Sequence, residues 1–164
     1  MSQTTVTFAQ FLAKFPEIEL PVVLNDEAHH TFSTENSPLA EAMIAQYILP
    51  AEPEEADEMT EFVPCFKLPK TEGFHAVVYW RAGLMNYQYV LVTFAKKGQL
   101  IDRRVIAGTF VNGQMITQSV ATINEENEIF VASGQSDAQD ETYDPASSTA
   151  YELELLPDGL IVNN

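Results

Sequence analysis

Hydrophobic and polar residues alternate through most of residues 74–133, in runs separated by short turns. Alternation with a period of two is typical of β-strands that bury one face. Lys97-Gly98 and Asn112-Gly113 lie between such runs, and Asn-Gly favours a type I′ hairpin turn because both central residues of that turn need φ > 0. The pattern therefore predicts consecutive antiparallel hairpins, that is, a β-meander.

The same pattern predicts about six to eight strands. They are expected over residues 62–68, 74–81, 87–95, 99–110, 114–123, 128–133, 151–156 and 160–162. Pro64 favours an edge position for the first of them, and Gly108 predicts a bulge or bend in the fourth. Val90, Leu91 and Val92 are consecutive, so both sheet faces should be partly buried, as in a strongly curved sheet or partial barrel.

Helical spacing appears only before residue 50. Thr7 and Gln10 form a capping-box pattern, followed by apolar residues on one helical face that ends at Pro16. Ser37-Pro38 predicts the start of a second amphipathic helix over residues 39–49. Asn25 can cap a brief helix between them. The predicted fold class is thus α+β, with an antiparallel β-meander and two N-terminal amphipathic helices packed on one face.

The chain of 164 residues suits a single domain. Its expected parts are a helical N-terminal part (residues 1–50), an acidic loop (51–61) and the β-meander (62–164). Residues 51–61 are rich in glutamate and carry little to bury, which is typical of an exposed segment.

Eight lysines and arginines face 24 aspartates and glutamates, a formal net charge of -16. Nucleic acids and anionic membranes are repelled by such a charge, so neither is an expected partner. A basic protein partner is favoured instead, and Glu54, Glu55, Asp57 and Glu58 are the candidate residues for binding it. The single cysteine, Cys65, excludes an internal disulfide and favours a cytoplasmic location, as does the absence of a signal-peptide pattern or a long apolar run.

Candidate ligand-binding residues cluster on two predicted strands. His75, Tyr79 and Arg81 share one face of strand 74–81, and Arg103 lies on strand 99–110. Histidine transfers protons near neutral pH, and arginine binds carboxylates and phosphates through two parallel hydrogen bonds, so these residues suit a small anionic ligand. The alternative, which we favour for the inward-facing arginine, is an ion pair with a carboxylate of the protein itself.

Other candidate sites have weaker patterns. His29 and His30 are adjacent and diverge on a helix or strand, so we expect a surface or packing role, and the acidic loop 136–144 lacks the calcium-loop spacing. No metal or cofactor is expected. An aromatic group that could line a pocket is more typical of a sheet core. It comprises Tyr79, Trp80, Tyr87 and Tyr89.

The sequence contains no phosphate-loop, dinucleotide-binding, kinase or hydrolase fingerprint, so no catalytic residue is predicted. The favoured function is a non-enzymatic binding or interaction module. The alternative is a small-molecule-binding cup or small enzyme that uses the polar residues of the sheet face.

Overall fold

The computed structural model describes residues 6–52, 59–83, 86–137 and 148–164. Within these residues, nine strands form one antiparallel sheet. They are β1 (Val22–Leu24), β2 (Glu61–Lys67), β3 (Phe74–Ala82), β4 (Asn86–Ala95), β5 (Leu100–Asn112), β6 (Met115–Ile123), β7 (Glu128–Asp137), β8 (Thr149–Leu155) and β9 (Ile161–Asn163). Strands β2 to β9 are neighbours in the order of the sequence, so the predicted antiparallel meander is confirmed.

Two details differ from the prediction. The short strand β1 joins the sheet by pairing with β6, which makes nine strands rather than six to eight. The turn between β5 and β6 consists of Gly113 and Gln114, one position later than expected. Gly113 has a φ of 62°, and a hairpin turn with glycine at its first central position accommodates this value without strain.

The sheet is not closed, because β9 does not pair with another strand on its outer side within the described residues. Instead, β9 lies near the first half of β5. The amide of Ile161 donates to Asp102 Oδ2 at 2.8 Å, and Arg104 Nη2 donates to the carbonyl of Ile161 at 3.1 Å. The register between β4 and β5 skips Ile106, so the predicted irregularity lies two residues before Gly108. Because β9, at one end of the sheet, contacts β5, the sheet is curved, and the concave side of this curl encloses a core.

Both faces of β3 and β4 are buried. Ala76, Val78 and Leu91 belong to the core cluster inside the curl, which Phe32 also contacts. The opposite face belongs to a second cluster, which includes side chains from the N-terminal segments. Its members include Phe11, Phe15, Met43, Ile48, Val77, Tyr79, Val90 and Val92. Burial on both faces explains why Val90, Leu91 and Val92 are consecutive rather than alternating with polar residues.

The first helix is shorter than predicted, whereas the brief helix expected after Asn25 is present. α1 spans Phe8–Leu12, and its capping box is present: the Gln10 amide donates to Thr7 Oγ1 at 3.1 Å, and the Thr7 amide donates to Gln10 Oε1 at 2.9 Å. α2 spans Ala28–Glu35, and Asn25 Oδ1 accepts from the amides that precede and begin this helix.

The predicted helix over residues 39–49 is a composite. It consists of α3 (Glu41–Met43), a π-helical turn (Ile44–Ile48) and a 3₁₀ turn (Leu49–Ala51). It does not begin at Ser37-Pro38, because Ala40 still has an extended conformation, with a ψ of 151°. Among the described residues, no helix has the length and apolar character that crossing a membrane requires.

Candidate functional site

Three of the four predicted ligand-binding residues meet at one buried carboxylate, Glu52. Tyr79 Oη donates to Glu52 Oε2 at 2.8 Å, and Arg103 donates to the same oxygen through Nη2 at 2.8 Å and Nε at 3.2 Å. Arg81 Nε forms an ion pair with Glu52 Oε1. The Glu52 side chain is only 2% exposed, so the carboxylate is almost fully enclosed by these partners.

The sheet and the 3₁₀ turn together create this cluster. Tyr79 and Arg81 are two residues apart on β3 and therefore share a face, and Arg103 comes from β5. Glu52 directly follows the 3₁₀ turn, which places it over that face. Burial, and then the neighbouring carboxylate of Glu52, raise the pKa of Tyr79, so its phenol stays protonated and acts as a donor.

Both guanidinium groups are thus paired with a carboxylate of the protein itself. This is the ion pair that the sequence favoured for an inward-facing arginine. Removing one partner of a buried ion pair lowers protein stability by several kcal/mol, because the other charge is left buried without compensation. An anionic ligand would have to replace Glu52, and a role for Tyr79, Arg81 and Arg103 in ligand binding remains a prediction.

His75 lies apart from this cluster. It is on the same face of β3, but four residues from Tyr79, which corresponds to about 13 Å along a strand. Its ring centroid is 5.7 Å from that of Phe8. Burial, and then the charges of Lys96 and Lys67, lower the pKa of His75. The four predicted residues therefore do not converge on one site.

The four acidic candidates for partner binding, Glu54, Glu55, Asp57 and Glu58, lie outside the described residues. Most of the acidic loop 136–144 lies outside them as well. Within the part of the chain that the structure describes, no three histidine, cysteine, aspartate or glutamate side chains are grouped so that they could hold a metal ion.

A different site forms where α2 approaches β3, β4 and β5. There a cleft of about 310 Å³ opens to solvent, and we call it the aromatic cleft. It is lined by Asp26, His29, His30, Trp80, Tyr87, Tyr89, Gly108 and Thr109. Its volume lies at the lower end of the range typical of small-molecule sites.

The aromatic rings of the cleft are ordered by stacking. His29 lies parallel to Trp80, with ring centroids 4.2 Å apart and planes inclined by 12°. Trp80 is in turn parallel to Tyr87, at 5.7 Å and 2°. The Tyr89 hydroxyl donates to the carbonyl of Asn25 at 2.8 Å, which ties β4 to the segment that begins α2. Tyr87 is 42% exposed, so part of its ring is open to a ligand.

Asp26 supplies the negative charge of the cleft. Its Oδ1 accepts from the Thr109 hydroxyl at 2.7 Å, and its Oδ2 accepts from Gln118 Nε2 at 2.8 Å. Each carboxylate oxygen has two lone pairs, so both oxygens can accept a further hydrogen bond from a ligand. The Asp26 side chain is therefore held in a defined position while it remains accessible to solvent.

Two pKa shifts complete the electrostatics of the cleft. Burial, and then the proximity of His30, lower the pKa of His29, so its imidazole is neutral at pH 7. Burial raises the pKa of the Tyr89 hydroxyl, which therefore remains a neutral donor. With the His29 imidazole neutral, the Asp26 carboxylate remains as an acidic group that faces a ligand in this cleft.

Sequence reasoning found part of this site. The sequence groups Trp80, Tyr87 and Tyr89 with Tyr79, but Tyr79 lies on the opposite face and contacts Glu52. No sequence motif marks Asp26, and the adjacent histidines predict only a surface or packing role for His29. The sequence contains no signal that α2 lies against Trp80, because this contact joins segments about fifty residues apart.

Comparison of the chain with protein-family models, with curated proteins and with solved structures finds no match. Its function is therefore inferred from geometry and chemistry alone.

Proposed function

We propose that this protein is a non-enzymatic binding protein whose aromatic cleft holds a small organic cation that carries an aromatic ring. The observation that carries the proposal is the combination of the stacked Trp80 and Tyr87 rings with the Asp26 carboxylate in one cleft of about 310 Å³. Small-molecule sites are typically concave and largely apolar, with a few polar groups that orient the ligand.

The charge of the cleft favours a cation over an anion. Among the described residues that line it, none is a lysine or arginine. The lowered pKa of His29 keeps its imidazole neutral at pH 7, Asp26 contributes a carboxylate, and the whole chain carries a net charge of -16. An ammonium group can pair with Asp26, and its attraction to an aromatic face contributes about 0.5–2 kcal/mol. The small anionic ligand expected from the sequence has less support here.

The hydrogen bonds of the cleft support binding rather than catalysis. Asp26 is engaged in positioning Thr109 and Gln118, and Tyr89 is engaged with a backbone carbonyl. These contacts give a rigid, pre-organised wall. A cytoplasmic location is part of the proposal, and its support is the presence of only one cysteine, Cys65, which is buried as a free thiol.

Trp80 makes the proposal directly testable, because it is the single tryptophan of the chain and it lines the cleft. We expect phenethylamine to change the Trp80 emission with a dissociation constant on the order of millimolar, as is usual for a ligand of this size. Phenylacetate has the ring but carries a negative charge, so it tests whether the positive charge is needed. Butylamine has the ammonium group but no ring, so it tests whether the ring is needed. Both should bind more weakly than phenethylamine.

Matched variants locate the binding. Tyr87→Ala and Asp26→Asn should each abolish the response to phenethylamine. Tyr151→Ala is the control, because Tyr151 is 40% exposed, close to the 42% of Tyr87, and lies outside the cleft. An equal response to phenylacetate, an unchanged response in Tyr87→Ala, or no response to phenethylamine would each contradict the proposal.

A further inference from the structure

The outer face of β6, β7 and β8 carries an exposed apolar groove. Along these strands, Ala121, Val131 and Leu153 point into the core, so their neighbours point outward. Two adjoining hollows of about 320 and 430 Å³ lie on this outer face. We call the residues common to both hollows, together with Phe130, the outer groove: Val120, Phe130, Ala132 and Ala150.

The strand register makes this groove continuous. Val120, Ala132 and Ala150 are direct partners across three strands and form one row. Phe130 lies in the next row, opposite Thr122, and Val23 of β1 extends that row. Val120 and Phe130 are each 38% exposed. Contiguous apolar patches on a protein surface often mark interaction sites.

A strip of negative charge borders the groove. Glu152 is the direct partner of Phe130, and Glu128 and Glu154 are direct partners of each other on the same face. Like charges opposite each other on neighbouring strands are destabilising, so the Glu128–Glu154 pair lowers the stability of the isolated protein. A positively charged partner would remove that repulsion.

The distribution of charge along the chain strengthens the argument for a positively charged partner. All eight lysines and arginines lie before residue 105, so β6, β7 and β8 contain no basic residue. These strands therefore supply no positive charge beside the glutamates of the groove, and both salt bridges found among the described residues involve Glu52 instead. The face combines an apolar floor with an uncompensated acidic border.

We infer that the outer groove docks a segment of a partner protein in which apolar side chains alternate with lysine or arginine. The apolar side chains would cover Val120 and Phe130, and the basic ones would reach Glu128, Glu152 and Glu154. A second copy of this chain fits poorly, because two chains of net charge -16 would bring the same glutamates together. This surface lies on other strands than the aromatic cleft, so the inference is independent of the proposed function.

The test uses the whole protein and three short synthetic peptides: alternating lysine and leucine, alternating lysine and serine, and alternating glutamate and leucine. We expect only the lysine–leucine peptide to bind tightly. In ¹⁵N-correlated NMR spectra, it should shift the amide signals around Val120, Ala132 and Ala150. Added salt should weaken the binding without abolishing it, because the contact is partly apolar.

Two matched pairs of variants make the test specific. Phe130→Ser should weaken binding of the lysine–leucine peptide by about tenfold or more, whereas Leu160→Ser, at an exposed site away from the groove, should leave it unchanged. Glu152→Lys should weaken binding more than Glu35→Lys, which makes the same charge change at the exposed end of α2. Thermal unfolding checks that all four variants remain folded.

Three results would overturn the inference. The first is a set of NMR shifts spread over the acidic surface, or equal effects of Glu152→Lys and Glu35→Lys, which would indicate non-specific attraction. The second is equal binding of the lysine–serine peptide, which would exclude the apolar contact. The third is self-association of the protein that Phe130→Ser abolishes, which would make a second copy the occupant.

Discussion

The imidazole of His29 lies flat against the indole of Trp80, with 4.2 Å between the ring centroids. Burial lowers the pKa of His29, and the neighbouring His30 lowers it further, whereas Asp26 acts in the opposite direction. The neutral ring is therefore the form that stacks at pH 7. Because Trp80 is the single tryptophan, its emission reports the protonation of the ring beside it.

The first prediction concerns this emission. Lowering the pH from 7 should quench Trp80, because a protonated imidazole in contact with an indole quenches its fluorescence. The midpoint should lie below about 6.5, the usual pKa of histidine. His29→Gln should remove the transition, and His75→Gln should leave it in place. A midpoint at or above 6.5 would contradict the stacked, partly buried geometry.

The second prediction concerns stability between neutral and mildly acidic pH. The pKa values of His29 and His75 are both lowered in the folded state, so the unfolded chain binds more protons in this range. Their contribution is fully present above about pH 6.5, the unfolded pKa, and is lost as the pH falls through the folded pKa values.

The melting temperature should therefore decrease from pH 7 towards pH 5.5, and less so in the double variant His29→Gln/His75→Gln. Differential scanning calorimetry at several pH values measures both slopes. An increase in the melting temperature of the unsubstituted protein as the pH falls over this interval would show that the predicted direction of the pH dependence is wrong.

The third prediction concerns Glu52. Glu52→Gln removes the negative charge that compensates Arg81 and Arg103, so it should lower the free energy of unfolding by about 3 kcal/mol. Glu61→Gln, at an exposed position at the start of β2, is the matched control and should change it by less than about 0.5 kcal/mol. Urea unfolding measures both. Similar small effects of the two variants would mean that the cluster is not the buried ion pair described above.

The fourth prediction concerns Gly108, which has a φ of 148° and lies at the floor of the aromatic cleft. A Cβ at this position would overlap the carbonyl oxygen of Tyr87 on β4, which is backbone and cannot rotate away. Gly108→Ala should therefore destabilise the protein by about 3 kcal/mol or more.

The control is Gly113→Ala in the β5–β6 turn. Its φ is also positive, at 62°, but an added Cβ would meet no atom within 4 Å. Only the conformational cost of about 1 kcal/mol applies there. Urea unfolding that ranks Gly113→Ala as the more damaging substitution would contradict the close approach of β4 and β5.

The prediction of the fold succeeded where the signal is local. The strand-length apolar runs of β3 and β4 and the turn at Gly113 depend on residues that are close in sequence, so the strands and the pairing of turn-linked neighbours could be recognised. The helix over residues 39–49 was predicted less well. Its apolar spacing suits an α-helix, but the segment adopts a mixture of helical geometries, in which Met43 and Ile48 belong to a buried cluster that also contains sheet residues.

The candidate site was harder to predict than the fold. That Tyr79 and Arg81 share a face follows from strand periodicity alone. That both contact Glu52 does not, because the glutamate comes from a separate segment. Asp26 and His29 had no detectable motif, because the residues that they contact, Trp80, Thr109 and Gln118, lie on distant strands of the sheet.

The amino-acid sequence by itself determined the antiparallel meander, the capping of α1 and the acidic character of the chain, because each follows from neighbouring residues or from composition. The tertiary structure alone decided which carboxylate pairs with Arg81 and Arg103, and that α2 forms a wall of the aromatic cleft. It also decided which apolar side chains of β6 to β8 stay exposed. These outcomes depend on how segments that are distant in the sequence pack together, and the linear pattern of residues contains no direct information about that packing.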